Sequence, residues 1–393
     1  MKKALCIILA AALVLVCLTA CGGSPAATGS KGSPSATVSN GGSTADESKA
    51  TSAGALSIGA VWYSKDDSLG SSVYRLLNQA AEALNVNLQW AIGNTSDEKQ
   101  IADVENLISA GVKGIIIMPV SDIVVQKIDK ICQEKKVYYS LMFRDISDKS
   151  IKAQAEANPY FAGAVFEDEE AAGKQLVKLL ADSGVTKLGA VFLPSGSAMY
   201  DARNAGFRSG IKESKLPLLG ETTLNYANLD ESVQSVNSLL TSYSDMDGLI
   251  LCGTAAGVGE GILNTLSSNN SKIKVATFDV FEGMDKAFEE GRWAVTAAGQ
   301  YPDSLFAFEV LVNKMSGAPL SDKPVYLTQN YLFIKSIDDV KVYNDVVDNP
   351  DYQIYSNKDI QSMASTFNKD ITLDDIKKIM SDYTLENIAS KAK

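Results

Sequence analysis

The side chains available for chemistry in this chain are carboxylates, guanidinium groups, amides and aromatic rings, because its 393 residues include no histidine. That absence removes His-based triads, His metal sites and HExxH hydrolysis together. The sequence also offers no activated nucleophile pair and no recognisable cluster of metal ligands, so we expect no catalytic residue, no metal and no cofactor. Gly257-Val258-Gly259-Glu260-Gly261 follows an apolar run, yet its spacing is wrong for a dinucleotide fingerprint and suits close helix packing instead. Paired acids such as Asp66 and Asp67 are either solvated or ligand-binding. The chemistry that remains is recognition. A guanidinium presents a fixed fork of donors and a carboxylate a pair of acceptors, so each can engage two neighbouring hydroxyls.

From Leu56 onward, short apolar runs alternate with amphipathic stretches at helical spacing, which is the pattern of parallel sheets covered by helices on both faces. Strands are expected at 56–62, 86–91, 114–118 and 137–142, with helices near 73–84, 99–110 and 123–134 between them. The rhythm restarts at 162–166 and continues through 188–193, 248–251, 274–278 and 295–298. Helices near 169–181, 201–213, 232–243 and 284–290 intervene. Two such series imply an α/β fold of two similar doubly wound parallel-sheet lobes joined by a hinge, with ligand residues just after the strands. We assign 56–166 plus 301–329 to one lobe and 167–300 plus 330–345 to the other. The crossovers are expected near Phe166–Glu167, Gln300–Tyr301 and Gln329–Asn330. Residues 346–393 form an extension with an amphipathic helix that starts at Thr372 and carries Ile376, Ile379 and Met380 on one face.

Three motifs at these strand ends resemble the type I periplasmic binding proteins, closest in pattern to the ribose- and galactose-binding members. They are Arg203-Asn204-Ala205-Gly206-Phe207, Thr277-Phe278-Asp279 and Gln300-Tyr301-Pro302. The resemblance implies that Arg203, Asp279 and Gln300 contact a polyhydroxylated ligand, a sugar above all, whose apolar faces are covered by aromatic rings. Arg144 matches the family's strand-end arginine, although Phe143 stands where an Asp usually precedes it. Asp67 matches a polar position whose following aromatics are replaced by Leu69 and Gly70, which leaves Trp62 and Tyr63 to supply a stacking surface or to pack in the core. Gly253-Thr254 replaces the family's Asn-Asp, and Tyr200 and Tyr226 are further candidates for the cleft. The family function implied is solute capture by hinge closure and delivery to the permease subunits of an ABC importer, by a monomer. Nucleoside or autoinducer-type ligands, and a sensor feeding a membrane kinase, are the alternatives.

A formal net charge of −11 with no long basic run argues against nucleic-acid binding. At the N-terminus, Lys2 and Lys3 precede an uncharged apolar stretch, Ala4 to Cys17, which is the pattern of an export signal over 1–20. Leu18-Thr19-Ala20-Cys21 resembles the bacterial lipobox, so Cys21 is expected to carry the lipid that anchors the protein to the membrane. Residues 21–55, almost wholly Gly, Ser, Ala, Thr, Pro and Asn, read as a flexible tether. Cys6 and Cys17 leave with the signal, and Cys132 and Cys252 read as small buried residues. Wild type should therefore partition into detergent with a lipid mass on its N-terminus, and Cys21→Ser should lose both. Identical partitioning of the two, with no lipid found by intact-mass analysis, would refute the anchor.

Overall fold

The computed structural model describes residues 56–391 except Asn94, Thr95, Tyr226, Ala227 and Ala256. Cys21, the signal segment, the tether and Tyr226 lie outside the described residues.

Runs such as Gly114–Ile117 and Leu188–Phe192 are buried at every position, as strands covered on both faces must be. The first sheet is built from β1 (Ser57–Trp62), β2 (Asn87–Ile92), β3 (Gly114–Ile117), β4 (Tyr138–Met142) and β5 (Phe161–Glu167), all paired in parallel. The second repeats that plan with β6 (Leu188–Phe192), β7 (Leu218–Thr223), β8 (Gly248–Leu251), β9 (Lys274–Phe278) and β10 (Trp293–Ala298). Late in the chain, β11 (Val325–Gln329) returns to the first sheet beside β5, and β12 (Leu332–Ile334) joins the second antiparallel to β10. The strand orders are β11-β5-β4-β3-β1-β2 and β12-β10-β9-β8-β6-β7. Two doubly wound lobes of like topology result, as the alternating pattern predicts.

Helices follow the strands, and short polar side chains begin them. Asp67 caps α1 (Ser68–Ala83) by accepting from the Gly70 amide at 2.9 Å, and Asp168 caps α5 (Glu169–Asp182) by accepting from the Ala171 amide at 2.9 Å. The chain changes lobe between β5 and α5, between β10 and α10 (Asp303–Met315), and between β11 and β12. Several elements have no counterpart in the sequence reading, among them the late strands β11 and β12 and the helices α4 (Lys149–Ala157), α10, Ile337–Val342 and Asn357–Met363. α4 is short, β7 is a half-exposed edge strand with Gly and Glu at its centre, and α10 is buried on every side from Asp303 to Asn313. A helix buried all round has no amphipathic stripe to reveal it.

The C-terminal segment is bound to both lobes. α11 (Ile337–Val342), continued by a π-helical turn at Tyr343–Val347, packs on α9 (Met284–Glu289) of the second lobe. α12 (Asn357–Met363) packs on α1 of the first, with Gln79 donating to the Tyr355 carbonyl at 2.8 Å and Gln361 to that of Ala83 at 3.0 Å. Asn313 on α10 fixes the same segment by donating to the Met363 carbonyl at 2.9 Å and accepting from the Ser365 amide at 2.7 Å. Thr372 and Asp375 form a reciprocal capping box on α13 (Leu373–Ser381), whose Ile376 and Met380 are buried.

Glu309 stands in the middle of α10, fully buried, and neither carboxyl oxygen has a hydrogen-bond partner among the described residues. Burial raises its pKa well above the usual 4.5. Below that value both folded and unfolded chains hold the proton and nothing is lost; as pH climbs past it only the unfolded chain gives the proton up, so stability falls. Glu309→Met should therefore stabilise the protein more at pH 8 than at pH 4, measured by urea unfolding at each pH. An equal effect at both would contradict the assignment.

Candidate ligand-binding site

Strand ends from both sheets face a cavity of about 570 Å³, within the range of small-molecule sites. Its polar wall on the second lobe is built around Arg203, one turn into α6 (Ala198–Ser214). Gly206, on the next turn, has no room for a side chain, since a Cβ there would sit 2.2 Å from the Glu170 carbonyl oxygen. α6 can thus lie directly on α5, which brings Arg203 to Glu169 at the α5 N-terminus. The glycine of the Arg-x-x-Gly-Phe motif has this packing as its physical cause.

Arg203 is buried and heavily engaged. Its Nε donates to Glu169 Oε2 at 2.8 Å, Nη1 to Asp279 Oδ2 at 3.1 Å, and Nη2 to Glu169 Oε1 at 3.4 Å and to the Tyr331 hydroxyl at 3.1 Å. Tyr331 in turn donates to Glu169 Oε2 at 3.0 Å. The guanidinium carbon lies 4.0 Å from the centroid of the Phe278 ring, a cation–π contact. Burial disfavours the charge, but Glu169 and then Asp279 outweigh it and hold the Arg203 pKa well above its usual value. These bonds use four of the five guanidinium donors and leave one Nη1 hydrogen. Asp279, whose side chain is 33% exposed, is the part of this network open to solvent.

Corresponding positions in the two lobes share a backbone device. Phe143 directly follows β4 and Asp279 directly follows β9, equivalent strands of the two sheets, and both are left-handed, with φ of 61° and 67°. Such a conformation is costly for a residue with a Cβ and persists where its surroundings impose it. The Phe143 amide is held by Asp303 Oδ1 at 2.8 Å, and the Asp279 amide donates to the Ala297 carbonyl at 2.9 Å. The turn after β4 leaves Arg144 lining the cavity, with its Nη1 donating to the Phe143 carbonyl at 2.6 Å.

The floor of the cleft is acidic. Glu167 lines it at the end of β5, and its Oε1 has no hydrogen-bond partner among the described residues. Burial first, then the charge of Glu169, pushes its pKa up to about 8. Asp303 lies against it, fully buried, and burial followed by the charge of Glu167 raises its pKa as well. Burial and the neighbouring acidic charges outweigh the Arg144 guanidinium, which pulls both pKa values the other way.

Of the residues singled out from sequence, Asp67, Tyr63, Phe143, Arg144, Arg203, Asp279 and Gln300 line this one cavity. Trp62 does not. It is fully buried, its Nε1 donates to the Gly70 carbonyl at 3.2 Å, and its ring packs on Tyr63 and Phe143, so it is core rather than a stacking surface. Gly253 is buried too, and Ala255 is the residue of that loop that lines the cavity. Tyr63 faces the cleft with its hydroxyl donating to Asp67 at 2.7 Å. Arg203 and Asp279, expected as ligand contacts, pair with each other and line the cavity as well.

Glu167, Glu169, Met199, Tyr331 and Tyr343 are among the lining residues that the sequence reading did not single out, and Tyr200, a candidate there, lines the cavity too. Glu167, Glu169 and Tyr331 sit at expected crossovers, where the rule that ligand residues follow strands already pointed. Tyr343 carried no such signal.

Residues 58–318 match a family model described as a periplasmic binding protein domain. A xylitol-binding protein of Mycolicibacterium smegmatis is 26% identical over 252 residues, covering 63% of this chain and 69% of the relative. Among solved structures, a periplasmic sugar-binding protein from Pseudomonas fluorescens aligns with a TM-score of 0.67 at 13% identity, over 85% of this chain and all of its own. The periplasmic ribose ABC transporter from Conexibacter woesei aligns at 0.63 and 16% identity, over 74% of this chain and 95% of its own. A solute-binding protein from Bacillus halodurans with bound myo-inositol aligns at 0.60 and 17% identity, over 75% and 99%. The chain is a binding protein rather than an enzyme, and it belongs to the periplasmic binding protein family.

Proposed function

We propose that this protein captures a small polyhydroxylated solute, a monosaccharide or a polyol, between its lobes and delivers it to an ABC permease, tethered outside the cytoplasm by a lipid on Cys21 and acting as a monomer. The observation that carries the reading is the convergence of Arg144 and Tyr63 from one lobe with Arg203, Asp279 and Glu169 from the other on a single cavity of monosaccharide scale. Arg144 and the remaining Nη1 hydrogen of Arg203 donate to hydroxyls, the partly exposed Asp279 carboxylate accepts from them, and the rings of Tyr63, Tyr331 and Tyr343 offer apolar faces to C–H groups. The named solutes of the relatives support the class: xylitol for the curated relative, ribose and myo-inositol for two of the structures. Closure about the three crossovers then buries the solute, since a ligand bound by both lobes favours the closed state.

The test is a thermal-shift screen of the soluble chain against pentitols, inositols, aldoses and nucleosides, followed by calorimetry. A solute at a hundredfold excess over its Kd should add about 2.7 kcal/mol of stability. Asp279→Ala should then weaken that solute by about 1.5–3 kcal/mol while the protein stays folded. Arg203→Ala is the poorer probe, because it strands Glu169 in a buried site, at a cost of about 3–5 kcal/mol in stability. No response to any polyol or sugar, or full affinity in Asp279→Ala, would overturn the reading.

A further inference from the structure

The cavity has a wall that the family-matched segment does not supply. The match ends at residue 318, whereas Tyr343, on the π-helical turn of the C-terminal segment, is 5% exposed and lines the cleft. Single π-helical turns are rare in helices and frequent at functional sites. This one is held from several directions. Asp348, directly after it, accepts a 2.6 Å hydrogen bond from the Ser68 hydroxyl at the lip of the first lobe. Gly299, in the second crossover with φ of 78°, presents its bare backbone to the tyrosine, for a Cβ there would stand 3.3 Å from Tyr343 Cε2 and 2.8 Å from Leu332 Cδ1. The carbonyl of the same glycine accepts a buried hydrogen bond from the hydroxyl of Tyr383, further along the C-terminal segment. Ser68, Val280 and Tyr343 also line a neighbouring groove, so the tyrosine separates the cleft from a second space between the lobes.

We infer that the π-helical turn is a built end wall of the ligand cavity, that Tyr343 sets the length of solute the cleft accepts, and that the Ser68–Asp348 bond keeps the wall in place against the first lobe. The inference rests on reading the cleft as the solute site. Its physical basis is that removing a ring from a packed wall opens volume that the surrounding structure refills only in part. Here the volume would connect the cleft to the adjoining groove, which gives a longer solute somewhere to extend.

The test uses the full chain in detergent, with xylitol, D-ribose, D-galactose and myo-inositol as short probes and cellobiose, lactose and maltose as long ones. Wild type should bind a short probe and discriminate against the disaccharides. Tyr343→Ala should lose at least tenfold in affinity for the best short probe and narrow the ratio between short and long probes by at least tenfold. Tyr343→Phe, which keeps the ring, should retain the wild-type ratio. Ser68→Ala leaves the tyrosine intact and should release a bound short probe several-fold faster, which keeps the claim testable if Tyr343→Ala does not fold. A wild type that binds a short probe, with Tyr343→Ala or Ser68→Ala unchanged within twofold in affinity, ratio and release, overturns this inference and leaves the proposed function standing. A wild type silent to every probe overturns both.

Discussion

A guanidinium leaves water at a cost of several kcal/mol unless its donors and charge are met inside the protein, and the second lobe is organised around meeting those of Arg203. Four separate parts of the chain converge on it: α6 brings the arginine, the start of α5 brings Glu169, the end of β9 brings Asp279 and the last crossover brings Tyr331. None of these partners is replaceable by a side chain of other shape without leaving a buried charge or donor unpaired. The requirement reaches the backbone as well, because the arginine meets Glu169 only where Gly206 lets two helices touch. Two of the four parts adjoin crossovers between the lobes, so the network that positions polar groups in the cleft also fixes where the hinge strands leave the second lobe.

The first lobe reaches a similar end by other means. There the anchoring group is a buried acid, Asp303, which holds the amide of left-handed Phe143 and lies against Glu167. The two lobes thus share a backbone solution, a strained residue directly after equivalent strands, while differing in the charge that stabilises it. One wall is held by a cation with two carboxylates, the floor by buried carboxyls whose pKa values are raised. A neutral, hydroxyl-rich solute suits such a site, because it offers donors and acceptors together and brings no net charge for the walls to balance.

Much of this was legible in the chain. The alternation of apolar runs with helical stretches places the two sheets, since parallel strands buried on both faces are continuous apolar segments. Arg203, Asp279 and Gln300 were legible because they belong to short motifs at strand ends, and they do meet at one cavity. Trp62 stayed open between a stacking ring and the core because a one-dimensional pattern places it at a strand end without saying which way its ring turns; packing against Phe143 and Tyr63 turns it inward. α10 was hidden by its own burial, and Gly253 by a loop in which Ala255 faces the cavity instead. Tyr343 was beyond sequence reasoning altogether, for its place in the cleft depends on a long return of the chain across both lobes. That return adds a bridge between the lobes to the three crossovers, in the form of α11 on α9 and α12 on α1. Any rigid-body closure has to carry it along or flex it.

The central claim is capture by closure, and the most direct measurement is the distance between the lobes with and without a saturating solute. Lys130 on the outer face of the first lobe and Lys212 on the second are both exposed and suit paired spin labels through cysteine substitution. The account predicts a shorter interlobe distance and a smaller radius of gyration by small-angle scattering when the solute found in the screen is bound, with distances inside each lobe unchanged. A saturating solute that left the interlobe distance and the radius as they were would mean a rigid, preformed site, and would contradict closure as the means of capture.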